Sequence, residues 1–171
     1  MTQLDIREYE DTSLQSVLLA LCTEQRWNTG KRMPDNYVLV DTETLGFSFQ
    51  NDRIVQVGVA VVENGRLSNR YWAGEPILTM TVRHDPKEFV GKEKAVEVHG
   101  ITAERSAKEG LAPREVFSLI HDVWTDARSK GFKIVGHNCY RFDIPFLRKR
   151  YSNSAALFSD AIQRTLLTLV S

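Results

Sequence analysis

The pattern of apolar and polar residues divides the chain into a helix, a run of strands, and a second run in which helices and strands alternate. Residues 12 to 27, TSLQSVLLALCTEQRW, open with Thr12 and Gln15 at capping-box spacing and set Leu14, Val17, Leu18 and Leu21 along one helical face. The polar stretch NTGKRMPDN breaks that pattern, and YVLVDT, a short apolar run bounded by turn residues, reads as a central strand. IVQVGVAVVE reads as the next strand. Asn64-Gly65 between it and RLSNRYWAG predicts a tight hairpin, so the first three strands form an antiparallel meander.

Beyond the meander, PILTMTVRHDPKEF has no clear period, and GKEKAVEVHGITAE predicts a short helix followed by a turn. APREVFSLIHDVWTDARSKG puts Val116, Phe117, Ile120, Val123 and Trp124 on one helical face, with Pro113 near its start and Gly131 past its end. FKIVGHN predicts a strand, CYRFDIPFLRKRY a helix containing Pro145, and LFSDAIQRTLLTLV a last strand or helix. Antiparallel strands followed by helix, strand and helix define an α/β fold, a mixed sheet flanked by helices. The domain reading is an N-terminal amphipathic helix and linker over residues 1–36 and one domain over 37–171.

Composition narrows the picture. A chain of 171 residues suits one domain with a real core. Lys plus Arg equals Asp plus Glu at 22 each, so the overall charge carries no basic footprint; basic residues can still line a rim around an acidic site. Cys22 and Cys139 lie far apart and in no metal-ligand spacing, which fits a reducing, cytoplasmic setting. No apolar run has the length of a membrane span, and the acidic N-terminus is unlike a secretory signal, so no membrane partner is expected.

The candidate chemistry lies in DTETLG, directly after the first strand's apolar run. Side chains two apart on a strand share a face, so Asp41 and Glu43 present two carboxylates together while Thr42 faces the other way. Neighbouring carboxylates repel unless a cation lies between them, and hard oxygen ligands suit Mg²⁺ or Mn²⁺. In GHNCYRFDIPFL, Asp143 falls in the first turns of a helix that follows a strand, with Phe142, Phe146 and Leu147 to anchor it. The bland readings are a solvated strand end for the first stretch and a surface acid for the second.

Taken together, DTETLG and GHNCYRFDIPFL resemble the first and second motifs of the DEDD exonuclease superfamily, the DnaQ-like group of proofreading-type nucleases. VHGITAE, residues 98 to 104, resembles the substrate loop of the same group, and the three stretches stand in the family's order. The resemblance implies a ribonuclease H-like fold with a five-stranded mixed sheet, its first three strands antiparallel. It implies two divalent cations, Mg²⁺ or Mn²⁺, held by Asp41, Glu43 and Asp143 as catalytic ligands. The reaction implied is 3′–5′ hydrolysis of single-stranded DNA or RNA ends to nucleoside 5′-monophosphates. Thr42, Thr44, Leu45, His99, Gly100, Ile101, Asn138 and Phe142 are the residues it implies for substrate binding, and a polymerase or a second copy of the chain is a candidate partner.

The family's third motif, a His or Tyr followed four or five residues later by a fourth Asp, has no counterpart after Asp143. Asp160 is the only later acid and reads as a helix N-cap, with a metal ligand as the other reading. Two expectations follow: C-terminal helices are missing from the fold, and the alternative to an exonuclease is a noncatalytic module that binds nucleic acid or protein. Arg148, Lys149 and Arg150 read as a solvated helix end or a phosphate-steering rim. The Leu14 to Leu21 stripe reads as cover for the chain's own sheet or as a docking face for a partner.

Overall fold

A computed structural model of the protein describes residues 34–70, 72, 75, 77–137, 139, 141–150 and 166–169. The first apolar run forms β1 (Tyr37–Thr44), whose first four residues are all buried, as a strand covered on both faces requires. β2 (Ile54–Glu63) runs antiparallel beside it, from Tyr37↔Val62 to Thr44↔Ile54, with a register shift between Glu43 and Thr44. Asn64 and Gly65 take φ values of 53° and 72°, the left-handed geometry of a two-residue hairpin turn, and deliver the chain into β3 (Arg66–Leu67).

β3 is shorter than its pattern suggests. It pairs only with Val62 and Glu63, and the rest of that edge of β2 is taken by β4 (Ile77–Thr81), aligned from Gln56↔Thr81 to Ala60↔Ile77. One strand edge can hold one ladder partner at each position. The segment without a clear period therefore displaces the stretch after Leu67 from the sheet. β3 and β4 share one position, and among the described residues the sheet order β3/β4-β2-β1-β5-β6 gives six strands in five positions, the first three positions antiparallel.

After a 3₁₀ turn at Pro86–Phe89, α1 (Glu93–His99) ends at Gly100, whose φ of 70° supplies a left-handed cap. The turn expected there is followed by a further helix, α2 (Ala103–Glu109), capped by the Thr102 hydroxyl, which accepts the Arg105 N–H at 3.1 Å. α3 (Pro113–Ser129) buries Val116, Ile120, Val123, Trp124 and Ala127, the face that the apolar spacing marks. β5 (Lys133–His137) then runs parallel to β1, and α4 (Asp143–Arg150) carries Pro145 in its first turn, where a missing N–H is tolerated. β6 (Leu166–Leu169) closes the sheet as a strand parallel to β5.

Val38, Val40, Val57, Val59 and Val61 of the central strands pack with Val116, Ile120 and Trp124 of α3 and Ile144, Phe146 and Leu147 of α4 in one core. β1 and β5 are parallel, so their carboxyl ends meet at one end of the sheet. Their pairing stops at Leu39↔Val135, and β1 continues past it to Thr44. That end of the strands is where open α/β sheets bind ligands. The helix expected over residues 12 to 27 and Asp160 lie outside the described residues, and so do the segments on which the expectation of missing C-terminal helices rests. Among the described residues no helix is long and apolar enough to cross a membrane.

Candidate active site

Asp41 and Glu43 lie on one face of β1, and Thr42 between them faces the core under α3 and α4. Asp143, the first residue of α4, is 1% exposed, and its Oδ1 accepts the Thr42 hydroxyl at 2.6 Å. Strand alternation therefore does two things at once: it pairs two acids on one side and aims a donor at the third from the other. The register shift beside Glu43 is the kind of irregularity that turns a strand end away from its neighbour.

Burial, with the charges of Asp143 and Glu43 added to it, holds the Asp41 carboxyl well above the usual range. The Thr42 backbone N–H opposes that shift. Burial likewise raises Glu43. Asp143 is pushed up to about 7, first by burial and further by Glu43, against the Thr42 hydroxyl and main-chain amides that favour its charged form. Among the described residues no Lys, Arg or His is paired with any of the three carboxylates.

Hard oxygen donors of this kind, Asp143 buried and Asp41 and Glu43 half-buried, with no counter-charge among the described residues, fit a divalent cation such as Mg²⁺ or Mn²⁺. Among the described residues no three His, Cys, Asp or Glu side chains are gathered about a single ion position.

The residues expected to hold a substrate divide into two groups. Thr42 is buried and turned to Asp143, so its hydroxyl supports a carboxylate; alternation puts it on the helix-covered face. Leu45 and Ile101 are buried with Val55 and Phe89 in a second small core, and their side chains fasten the two loops together rather than lining a surface. The Thr44 hydroxyl is also internal, donating to the Gly46 carbonyl at 2.6 Å. His99 is half-buried at the end of α1: its Nδ1 accepts the Ile101 N–H at 3.0 Å, and its Nε2 is buried without a hydrogen-bond partner. Burial lowers its pKa, opposed by the Thr44 main chain beside it. Gly100 is exposed. Phe142 is half-buried between Phe146, at 5.0 Å between ring centroids, and Phe47, at 6.2 Å. Asn138 lies outside the described residues.

Two features escaped the sequence reading. Phe47 stands 92% exposed directly after the first acid stretch, its ring edge against Phe142. Asp52, 7% exposed, accepts the Lys92 ammonium at 2.6 Å and the Ser48 N–H at 2.9 Å. Along the chain Asp52 and Lys92 read as ordinary surface charges, and nothing in local spacing marks them as partners.

The parallel β1–β5 pair, with acids at its carboxyl end and antiparallel strands beside it, defines an α/β domain with a mixed sheet. Residues 38–167, well over half of the chain, match the family model described as RNase T exonuclease, and the chain belongs to that family. A DNA polymerase III of the PolC type from Pediococcus pentosaceus is 30% identical over 115 residues, 67% of this chain and 7% of that protein. Among solved structures, the product-bound form of exonuclease I aligns with a TM-score of 0.53 at 21% identity, over 70% of this chain and 26% of that one. The metal-free Escherichia coli exonuclease I complex with single-stranded DNA gives 0.52 at 22%, over 70% and 24%. These structures share the fold, and the chain spans a small part of the length of each relative.

Proposed function

We propose that the chain is a metal-dependent 3′–5′ exonuclease domain that hydrolyses single-stranded nucleic-acid ends to nucleoside 5′-monophosphates. The observation that carries this reading is that Asp41, Glu43 and Asp143 lie close enough for the charges of Glu43 and Asp143 to raise the pKa of Asp41, and that among the described residues no cationic side chain is paired with any of the three. Asp41, Glu43 and Asp143 are the residues that would hold divalent cations. Two bound Mg²⁺ or Mn²⁺ ions would supply activation of water and stabilisation of the leaving 3′ oxygen.

The remaining roles fall to the chain itself. Thr42 keeps Asp143 oriented and favours its ionised form. The main chain at Thr44 and Leu45 and the loop at His99 and Gly100 flank the acids and would seat the terminal nucleotide. Arg148 and Lys149, exposed on α4, would steer the phosphate backbone. A polymerase partner is consistent with the PolC-type relative.

A noncatalytic module that binds nucleic acid or protein is the competing reading, favoured by the near-complete burial of Asp143, whose Oδ1 already accepts the Thr42 hydroxyl. One experiment separates the two. Purified protein is incubated with a 5′-labelled single-stranded oligonucleotide and Mn²⁺, beside an Asp41→Ala variant. A ladder shortening from the 3′ end and lost in the variant supports the exonuclease. Binding without cleavage by the folded protein establishes the module instead.

A further inference from the structure

The loop between β1 and β2 joins both sides of the site. At one end Phe47 sets its ring edge on Phe142, the residue before Asp143. At the other, the buried Asp52 carboxylate folds back on the loop. Its Oδ2 accepts the Ser48 N–H at 2.9 Å, and the Asp52 N–H donates to the Ser48 carbonyl at 2.7 Å. Its Oδ1 takes the ammonium of Lys92, the residue that opens α1, at 2.6 Å. The carboxylate lies so close under Gly46 that a Cβ there would stand 2.3 Å from Oδ2, so only glycine allows the loop to close over it.

Lys92 is at the opposite end of α1 from His99. Among the described residues α1 has no fully buried side chain, although Val96 packs partly against the small core of Leu45, Val55, Phe89 and Ile101. The buried Phe89 and Ile101 on either side of α1 anchor it to that core, and the charge-assisted bond from Lys92 to the buried Asp52 adds a directional tether to the β1–β2 loop itself. From this geometry we infer that the Lys92–Asp52 ion pair is a positioning clasp. It sets the separation between the loop after the first acids and the helix that carries His99, and so the width of the cleft that receives the terminal nucleotide. This rests on the exonuclease reading above. The clasp touches none of the three acids, so it acts on substrate seating and leaves the carboxylate chemistry unchanged.

The test uses the full chain with Lys92→Met, Lys92→Arg, Asp52→Asn and the Lys92→Met/Asp52→Asn double variant. With Mn²⁺ and a single-stranded oligothymidylate, Lys92→Met should raise KM about fivefold to tenfold and leave kcat within about twofold. Lys92→Arg should restore KM. The double variant should be no worse than the poorer single variant, because Lys92 acts through the Asp52 carboxylate. A fall in kcat at constant KM, an unchanged KM, or multiplicative losses would overturn the clasp. Amide hydrogen exchange over residues 46–52, measured without substrate, decides the point independently of activity. The clasp requires faster exchange in Lys92→Met and recovery in Lys92→Arg, and unchanged exchange rejects it. If the unaltered chain cleaves nothing while exchange responds as stated, the exonuclease reading fails and the clasp as a loop tether stands.

Discussion

The Thr42 hydroxyl donates to Asp143 Oδ1 at 2.6 Å across 101 residues of chain. This bond joins the middle residue of the first acid stretch to the acid of the second, and it holds a buried carboxylate beside two others of the same charge. A hydrogen bond to an ionised group contributes on the order of 1.5–3 kcal/mol. Removing it leaves Asp143 with less support for its charged form.

Thr42→Val should therefore raise the Asp143 pKa above its value of about 7. In the pH titration profile of the Asp143 carboxyl, followed by NMR in the metal-free protein, the midpoint should move to higher pH, and Thr42→Ser should return it. A profile that keeps its position in Thr42→Val would show that the bond does not govern the ionisation of Asp143.

Stability should respond in the opposite sense to that of an ordinary salt-bridged acid. Asp143 has a folded pKa raised from 3.8 to about 7, so its contribution is fully present below about pH 4 and is lost as pH rises through 7. Asp143→Asn keeps an acceptor for Thr42 and removes the charge. In the absence of divalent cations it should melt above the unaltered protein at pH 8, by at least ~2–4 °C if about 1 kcal/mol is relieved. The difference should vanish near pH 4. Added Mn²⁺ should raise the melting temperature of the unaltered protein at pH 8 and narrow or reverse the gap, because the ion binds the folded carboxylates. Equal melting temperatures at pH 8 without cations would contradict the burial argument.

The small core under the two loops makes a separate prediction. Ile101 is fully buried against Leu45, Val55 and Phe89, and Ile101→Ala should cost about 2–5 kcal/mol through lost burial and a residual cavity. Denaturant unfolding measures the loss directly. A cost below about 1 kcal/mol would mean that this cluster does not fasten the His99 loop to the strand.

Much of this protein can be read along the chain. The continuous apolar run before Asp41, the Asn64-Gly65 turn and the spacing of Val116, Ile120, Val123 and Trp124 are local signals, because strand burial, hairpin geometry and helix periodicity are decided within a few residues. The same locality exposed the acids, since two residues two apart on a strand must share a face. It also misled: RLSNRYWAG has the pattern of a strand, yet β4 holds most of the edge it would need, and competition for that edge is settled only when distant segments meet. Tertiary structure likewise decided the partners of polar groups. Alternation told that Thr42 points away from Asp41, but not that α4 brings Asp143 to it; Asp52 and Lys92, 40 residues apart, look like surface charges until the loop closes over one and α1 delivers the other. Periodicity specifies which way a side chain points, and only the packed fold specifies what it meets there.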